Sequence, residues 1–295
     1  MKISKKTQNF ALIILMSIGL IGLIIGSFFD LQISNNIGNR DNLFGILFTA
    51  FGTMVSLTIG CFAGSALYFC KKNWSKFINI FLDVIGLAAF VILTAYEVWT
   101  SMDYADFPRM QNNASTYKAL IAVFICLINF AVFLFTRKII KKIKVETLVI
   151  TCLAMLFMIG FSSAFGEIIK NLANRARPYE VHLGTREFAK WYQFDLSLFL
   201  KDGYEHSFVS GHTINSACSI TLIPLLTGLF VDSKTNKIQI LSILCGFLYA
   251  AVVSVSRMVC DMHFLSDVSG GIIITAVMQF IVINLLEKVI KIEKR

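Results

Sequence analysis

Charge is scarce in this chain of 295 residues: Asp, Glu, Lys and Arg together make up 15%, where an average globular chain holds roughly a quarter. The apolar set accounts for 56% of residues, and the mean hydropathy is +0.72. A single water-soluble core that apolar would leave large hydrophobic patches facing water. Proline is scarce too, with three residues beside 18 glycines, which excludes collagen-like and proline-rich disordered classes. No block of like charge is long enough for an acidic or basic tail. The seven cysteines form no CxxC and no Cys/His cluster, so neither a disulfide framework nor a zinc site is indicated. A polytopic membrane protein remains, in which lipid solvates the apolar excess. The net charge of +9 does not point to nucleic acid. Lys and Arg cluster in short segments beside apolar runs, as the positive-inside rule expects, and form no basic face.

Eight apolar runs follow one another: Phe10–Phe29, Phe44–Phe69, Phe77–Val98, Lys118–Phe135, Thr147–Phe165, Gly211–Phe230, Ile238–Val255 and Val268–Leu286. Each is near the roughly 17 to 25 residues of a spanning helix. The fold class expected is therefore all-α, a polytopic helical bundle of about eight transmembrane helices. The first run is too long for a signal peptide and no small-residue cleavage site follows it, so it reads as a retained helix. Its Gly22 and Gly26 form a GxxxG that suits close helix packing. Basic connections at the N-terminus, Lys71–Lys76, Arg137–Lys144 and Lys288–Arg295 alternate with the neutral-to-acidic segments Asp30–Leu43 and Trp99–Tyr117. That alternation predicts both termini on the cytoplasmic side of the cell membrane. It puts residues near 170–210 and 256–267 on the extracytoplasmic face.

Those two outer segments hold most of the chemistry. His263 and Asp267 are four apart, which on a helix would place them on one face within hydrogen-bond reach. Asp267 would then keep one ring nitrogen protonated and leave the other as a free lone pair, a good nucleophile towards phosphorus. Ser210-Gly211-His212 leads directly into an apolar run. The free N–H groups of a helix start favour an anion, and Gly211 allows its close approach. His212 is a candidate general acid for the leaving oxygen. Lys170, Arg177 and Arg257 would supply positive charge to a pentacoordinate phosphoryl transition state. No metal-ligand cluster accompanies them, and neither a metal nor another cofactor is expected.

Lys170-x6-Arg177-Pro178, Ser210-Gly211-His212 and Ser256-Arg257-x5-His263-x3-Asp267 together resemble the three ordered motifs of the type 2 phosphatidic acid phosphatase superfamily. This group includes lipid phosphate phosphatases, undecaprenyl-diphosphate phosphatases, glucose-6-phosphatase and vanadium haloperoxidases. The resemblance covers about residues 117–290. It departs from the usual pattern at Val209, where the family has proline before Ser-Gly-His.

The resemblance implies a six-helix phosphatase core, with the first two spans extra to it, and one structural domain overall. In that organisation residues 1–100 hold the two extra spans and the first core span, and residues 101–295 hold the rest of the core with its motifs. It also implies a phosphohistidine intermediate on His263, relay support from Asp267, leaving-group protonation by His212, and phosphate contacts from Lys170, Arg177, Ser210, Gly211 and Arg257. The activity implied is hydrolysis of a phosphorylated lipid, monoester or diphosphate, reached from the surrounding membrane lipids and without metal. The alternatives are a lipid phosphoryl or headgroup transferase, and a non-catalytic transporter or scaffold on the same core.

Several residues receive plainer readings. Arg175 and Arg186 are expected in solvent or at lipid headgroups. His182 and His206 match no motif. Asp83 and Asn129 suit interhelical hydrogen bonding, and Cys260, lacking a base, reads as a bystander. Trp191, Tyr192, Phe194 and Phe199 either cap a cleft through which lipid enters or lie in the interfacial belt.

Overall fold

A computed structural model describes residues 5–70, 74–194, 206–231 and 236–293. It is 85% helical, without strands among the described residues. Among the described residues, eight helices are long and apolar enough to cross a membrane, which defines an all-α multi-pass bundle. The described residues form ten α-helices: α1 (Lys5–Ile37), α2 (Leu43–Phe51), α3 (Met54–Phe69), α4 (Lys76–Met102), α5 (Ala114–Ile139), α6 (Val145–Ala173), α7 (Pro178–His182), α8 (Gly211–Phe230), α9 (Asn236–Val259) and α10 (Leu265–Glu293). Parts of the charge pattern, at residues 1–4, 71–73 and 294–295, lie outside the described residues, as does Phe199.

Most helices run past their apolar stretch, because polar residues continue a helix into the interface without registering as hydrophobic. The largest difference concerns α1. The segment Asp30–Leu43, expected as a connection, is helical to Ile37, and Asp30 is buried at 2% exposure. The second predicted span is interrupted at Gly52 and Thr53, separating α2 from α3. The break releases backbone carbonyls from the helical ladder, and side chains from other helices take them up. The Tyr249 hydroxyl of α9 donates to the Phe51 carbonyl at 2.9 Å, and His212 Nε2 of α8 donates to the Thr49 carbonyl at 3.0 Å. Irregular backbone at membrane depth is tolerated where neighbours satisfy it in this way.

Small residues let α1 lie against α10. A Cβ on Gly26 would come within 2.9 Å of the Ser266 backbone nitrogen, and one on Gly22 within 3.2 Å of Ser269 Cβ. The GxxxG of the sequence is thus the seam between the first and last spans. Inside the bundle, Asn129 Nδ2 of α5 donates to Glu97 Oε2 of α4 at 3.0 Å, the interhelical bond its position suggested.

On α6, Leu153, Phe157, Gly160 and Ala164 follow one another at helical spacing. With Leu156, Phe161 and Ile85 of α4 they line an apolar groove of about 400 Å³. A Cβ on Gly160 would meet nothing within 4 Å, so the groove is open there. Continuing the same face by three residues reaches Glu167, which borders the cavity described next.

Candidate active site

The turn between α9 and α10 positions His263. The N–H groups of Met262 and His263 donate to the Arg257 carbonyl at 3.2 and 3.1 Å, wrapping the chain back over the end of α9. Because α10 begins only at Leu265, His263 and Asp267 do not occupy one helical face. Instead Asp267 Oδ2 accepts the Phe264 N–H at 2.7 Å and caps α10. His263 Nδ1 donates to the Ser207 carbonyl at 2.8 Å, with Asp267 Oδ2 3.8 Å away. The expected carboxylate–imidazole hydrogen bond is therefore replaced by a carbonyl–imidazole one, with the carboxylate as a nearby charge. The chemical result at the ring is the same: Nδ1 carries the proton and Nε2 holds a lone pair.

Burial pushes the His263 imidazole well below its ordinary range. The positive charges of Arg257, Arg177 and Lys170 push in the same direction, and the bond to the Ser207 carbonyl opposes them weakly. His263 is neutral at physiological pH.

Arg175 holds this turn in place, and its location corrects the expectation of a solvent or headgroup contact. Its side chain is 1% exposed. Nη1 donates to Asp267 Oδ1 at 2.6 Å and to Ser266 Oγ at 2.7 Å; Nη2 donates to Asp30 Oδ2 at 2.9 Å and Nε to the Ala189 carbonyl at 2.8 Å. The guanidinium also lies 4.2 Å from the Phe264 ring centroid. Ser266 completes the cluster, its N–H donating to Asp30 Oδ1 at 3.0 Å and its hydroxyl to Asp30 Oδ2. Two buried carboxylates attract this arginine more strongly than the interface does, since a charge taken from water needs such partners. Arg186 is likewise engaged within the protein, 3.4 Å from Glu180 Oε2 and donating to the Asn174 carbonyl at 2.7 Å.

The start of α8 approaches from the other side. Ser210 caps it: its hydroxyl oxygen accepts from the Thr213 N–H at 3.4 Å, and its own N–H donates to the Asp267 carbonyl at 3.1 Å. Gly211 follows with an open face, where a Cβ would meet only Lys170 Nζ at 3.7 Å and Glu167 Oε1 at 3.9 Å. His212 is fixed through Nε2 to Thr49.

These elements enclose a cavity of about 250 Å³. Six of the eight expected residues line it: His263, His212, Gly211, Lys170, Arg177 and Arg257. Ser210 and Asp267 do not; both are fully buried behind it as helix caps. The cations sit at element ends, Lys170 in the last turn of α6, Arg177 at the start of α7 and Arg257 in the last turn of α9. Lys170 Nζ is 3.1 Å from Glu167 Oε1, Arg177 Nη1 is 3.5 Å from Met262 Sδ, and Arg257 Nη1 donates to Thr49 Oγ1.

Arg40, Tyr96, Trp99, Asp103, Glu167 and Asn215 also line the cavity without having been singled out in the sequence. Glu167 was legible, one turn before Lys170 on the same helix. Arg40 and Trp99, contributed by the N-terminal half, carry no local signal. Among the described residues no group of three or more His, Cys, Asp and Glu side chains is placed to hold a metal ion.

The remaining candidates lie outside the cavity. His182 Nδ1 donates to Asp261 Oδ2 at 2.8 Å and its Nε2 is 3.3 Å from Ser34 Oγ. Trp191 stacks on Phe208 and donates to Ser27 Oγ at 2.9 Å, while Tyr192 and Phe194 are exposed. Cys260 is fully buried, its thiol against the Arg257 carbonyl.

Fold and site together describe a helical membrane protein with a cationic cavity built around an oriented neutral imidazole. Residues 151–291, just under half of the chain, match the family model of the PAP2 superfamily, the same superfamily whose motifs the sequence resembles. No curated protein and no solved structure matches the chain.

The electrostatics of His263 can be read directly. Its ring nitrogens, followed by nitrogen-15 histidine NMR in detergent, should titrate with a midpoint below the usual 6.5. Arg177→Gln removes one of the repelling charges and should move the midpoint upward. The folded pKa is depressed, so the unfolded chain binds this proton first, and the stability contribution is lost as pH falls below about 6.5. An unshifted midpoint, or no response to Arg177→Gln, would contradict this electrostatic reading.

Proposed function

We propose that the chain hydrolyses a phosphorylated membrane lipid by phosphoryl transfer through His263. The observation that carries this reading is the orientation of His263: Nδ1–H is held by the Ser207 carbonyl, so the Nε2 lone pair is available in a cavity lined by Lys170, Arg177 and Arg257. In the first step Nε2 attacks phosphorus and the bond to the lipid oxygen breaks. The leaving oxygen takes a proton from His212, which enters the step as an imidazolium: its Nε2–H stays on the Thr49 carbonyl and its Nδ1 proton is transferred. Water then attacks the phosphohistidine and returns a proton to His212, and the bond between phosphorus and His263 Nε2 breaks to release inorganic phosphate. Cations of the chain neutralise the charge that builds on the phosphoryl oxygens. Asp267 acts from behind, as a capping and charge-placing group.

The lipid part of the reading rests on the groove along α6. It is apolar, opens at Gly160 and continues on one helix face to Glu167 at the cavity edge. A hydrocarbon tail lying there would bring its phosphate to Lys170. The distribution of basic connections supports a cell-membrane protein with both termini cytoplasmic and the cavity on the extracytoplasmic side.

Three measurements test this function. With purified protein, His263→Ala should abolish release of phosphate from every substrate. His212→Ala should lose about 10² to 10⁴-fold on a lipid phosphate, and less on p-nitrophenyl phosphate, whose leaving group departs without a proton. Equal losses on both, with phosphoenzyme formation shown by rapid quench to limit the rate, would remove His212 as the acid.

Gly160→Leu should raise KM for a long-chain lipid phosphate several-fold, as a filled tail site would, while p-nitrophenyl phosphate is affected little. An unchanged lipid KM would place the tail elsewhere.

For orientation, a cysteine at Thr185 in a cysteine-free background should react with an impermeant reagent in intact cells. Reaction only after permeabilisation would invert the topology.

A further inference from the structure

Arg40 is the cavity-lining cation that the phosphoryl-transfer scheme does not use. It belongs to the connection between α1 and α2, outside the three motifs and outside the matched segment at 151–291. Its guanidinium lies 4.0 Å from the ring centroid of Tyr179 and 5.4 Å from that of Phe107. Its Nε is buried without a hydrogen-bond partner, and among the described residues no carboxylate pairs with it. Face-on packing holds a guanidinium in place while leaving its in-plane N–H donors unused. A buried N–H donor without a partner is costly unless something occupies it. The cavity is the open space this side chain borders.

Position identifies what that occupant is. Tyr179 follows Arg177 by two residues, and Arg177 Nη1 contacts Met262, which shares an apolar cluster with Phe107 and Tyr179. Arg40 and Arg177 therefore flank one patch of wall. The scissile phosphoryl group already has Lys170, Arg177, Arg257 and the open start of α8. At about 250 Å³ the cavity has the room of roughly eight waters, taking about 30 Å³ of liquid for each, which exceeds one phosphoryl group. Glu167 and Asp103 also border it, and Glu167 is engaged by Lys170 at 3.1 Å.

We propose that Arg40 is a specificity-determining residue that binds a second anionic group of the substrate, next to the phosphoryl group that is transferred. The preferred substrate then carries two acidic groups close together, as a lipid diphosphate does. This rests on the phosphatase reading above and narrows its substrate.

The test uses the full chain in detergent, with inorganic pyrophosphate as the probe for two adjacent anions and orthovanadate as the probe for the phosphoryl site alone. Arg40→Gln should weaken inhibition by pyrophosphate roughly tenfold or more, the effect of losing hydrogen bonds to a charged group. Inhibition by vanadate should weaken much less. The ratio of kcat/KM for a lipid diphosphate over the matching monoester should fall by a similar factor. Arg40→Lys keeps the charge but not the planar fork, and should show the same selective loss in smaller measure. It serves as the second variant should Arg40→Gln unfold.

Equal weakening of both probes would place Arg40 at the scissile phosphoryl group, and no change in either would leave it a structural cation; both results overturn the proposal. Should the wild type turn over no phosphate ester, the phosphatase reading falls by itself. Protection against thermal unfolding by pyrophosphate then still decides the role of Arg40: protection lost in Arg40→Gln supports it, and equal protection of both proteins overturns it.

Discussion

The site depends on one buried guanidinium. Arg175 ties α1 through Asp30, the start of α10 through Asp267 and Ser266, and the segment after α7 through the Ala189 carbonyl. With two carboxylates, a hydroxyl and a carbonyl around it, all three guanidinium nitrogens have acceptors. A buried ion pair is tolerable on that condition. Leaving such a charge without its partner costs about 3–5 kcal/mol, a large share of the roughly 5–15 kcal/mol that keeps a domain folded. The same guanidinium packs on Phe264, the residue after His263. The first span is therefore part of the site's frame, although it lies outside the segment that matches the family.

A second economy lies in the cations. Lys170, Arg177 and Arg257 make the cavity cationic, as the proposed phosphoryl transfer requires, and the same charges discourage a proton on His263. The proposed nucleophile needs a free lone pair, and burial with three nearby positive charges keeps the His263 ring unprotonated without a separate device. The backbone carbonyl of Ser207, a neutral acceptor, orients the ring while raising its basicity less than a directly bonded carboxylate would.

The interruption between α2 and α3 shows how a membrane bundle makes polar anchors from the main chain. Two carbonyls withdrawn from the helical ladder fix His212 and Tyr249. In hydrocarbon an unsatisfied carbonyl costs several kcal/mol, so the break and the side chains that fill it stabilise one another. Thr49 contributes twice, its carbonyl to His212 and its hydroxyl to Arg257.

Sequence alone determined the class of fold, the number of spans and the three segments that meet at the cavity. Hydropathy over some twenty residues reports on lipid contact, and the motif residues act through their own side chains. His263, His212, Lys170, Arg177 and Arg257 were legible for that reason, and Gly211 for its lack of a side chain at a helix start. What tertiary structure decided was every partnership across the chain. Asp30 and Arg175 stand 145 positions apart, and nothing local marks either as the other's counterion. His263 fell before α10 and so turned to the Ser207 carbonyl, and no spacing rule could show that, because helix ends are set by capping and packing. The Thr49 carbonyl is main chain, identical in kind at every residue, and becomes an anchor only where the helix stops. Arg40 reached the cavity because α1 packs on α10, a contact made by glycines whose meaning depends on what lies opposite.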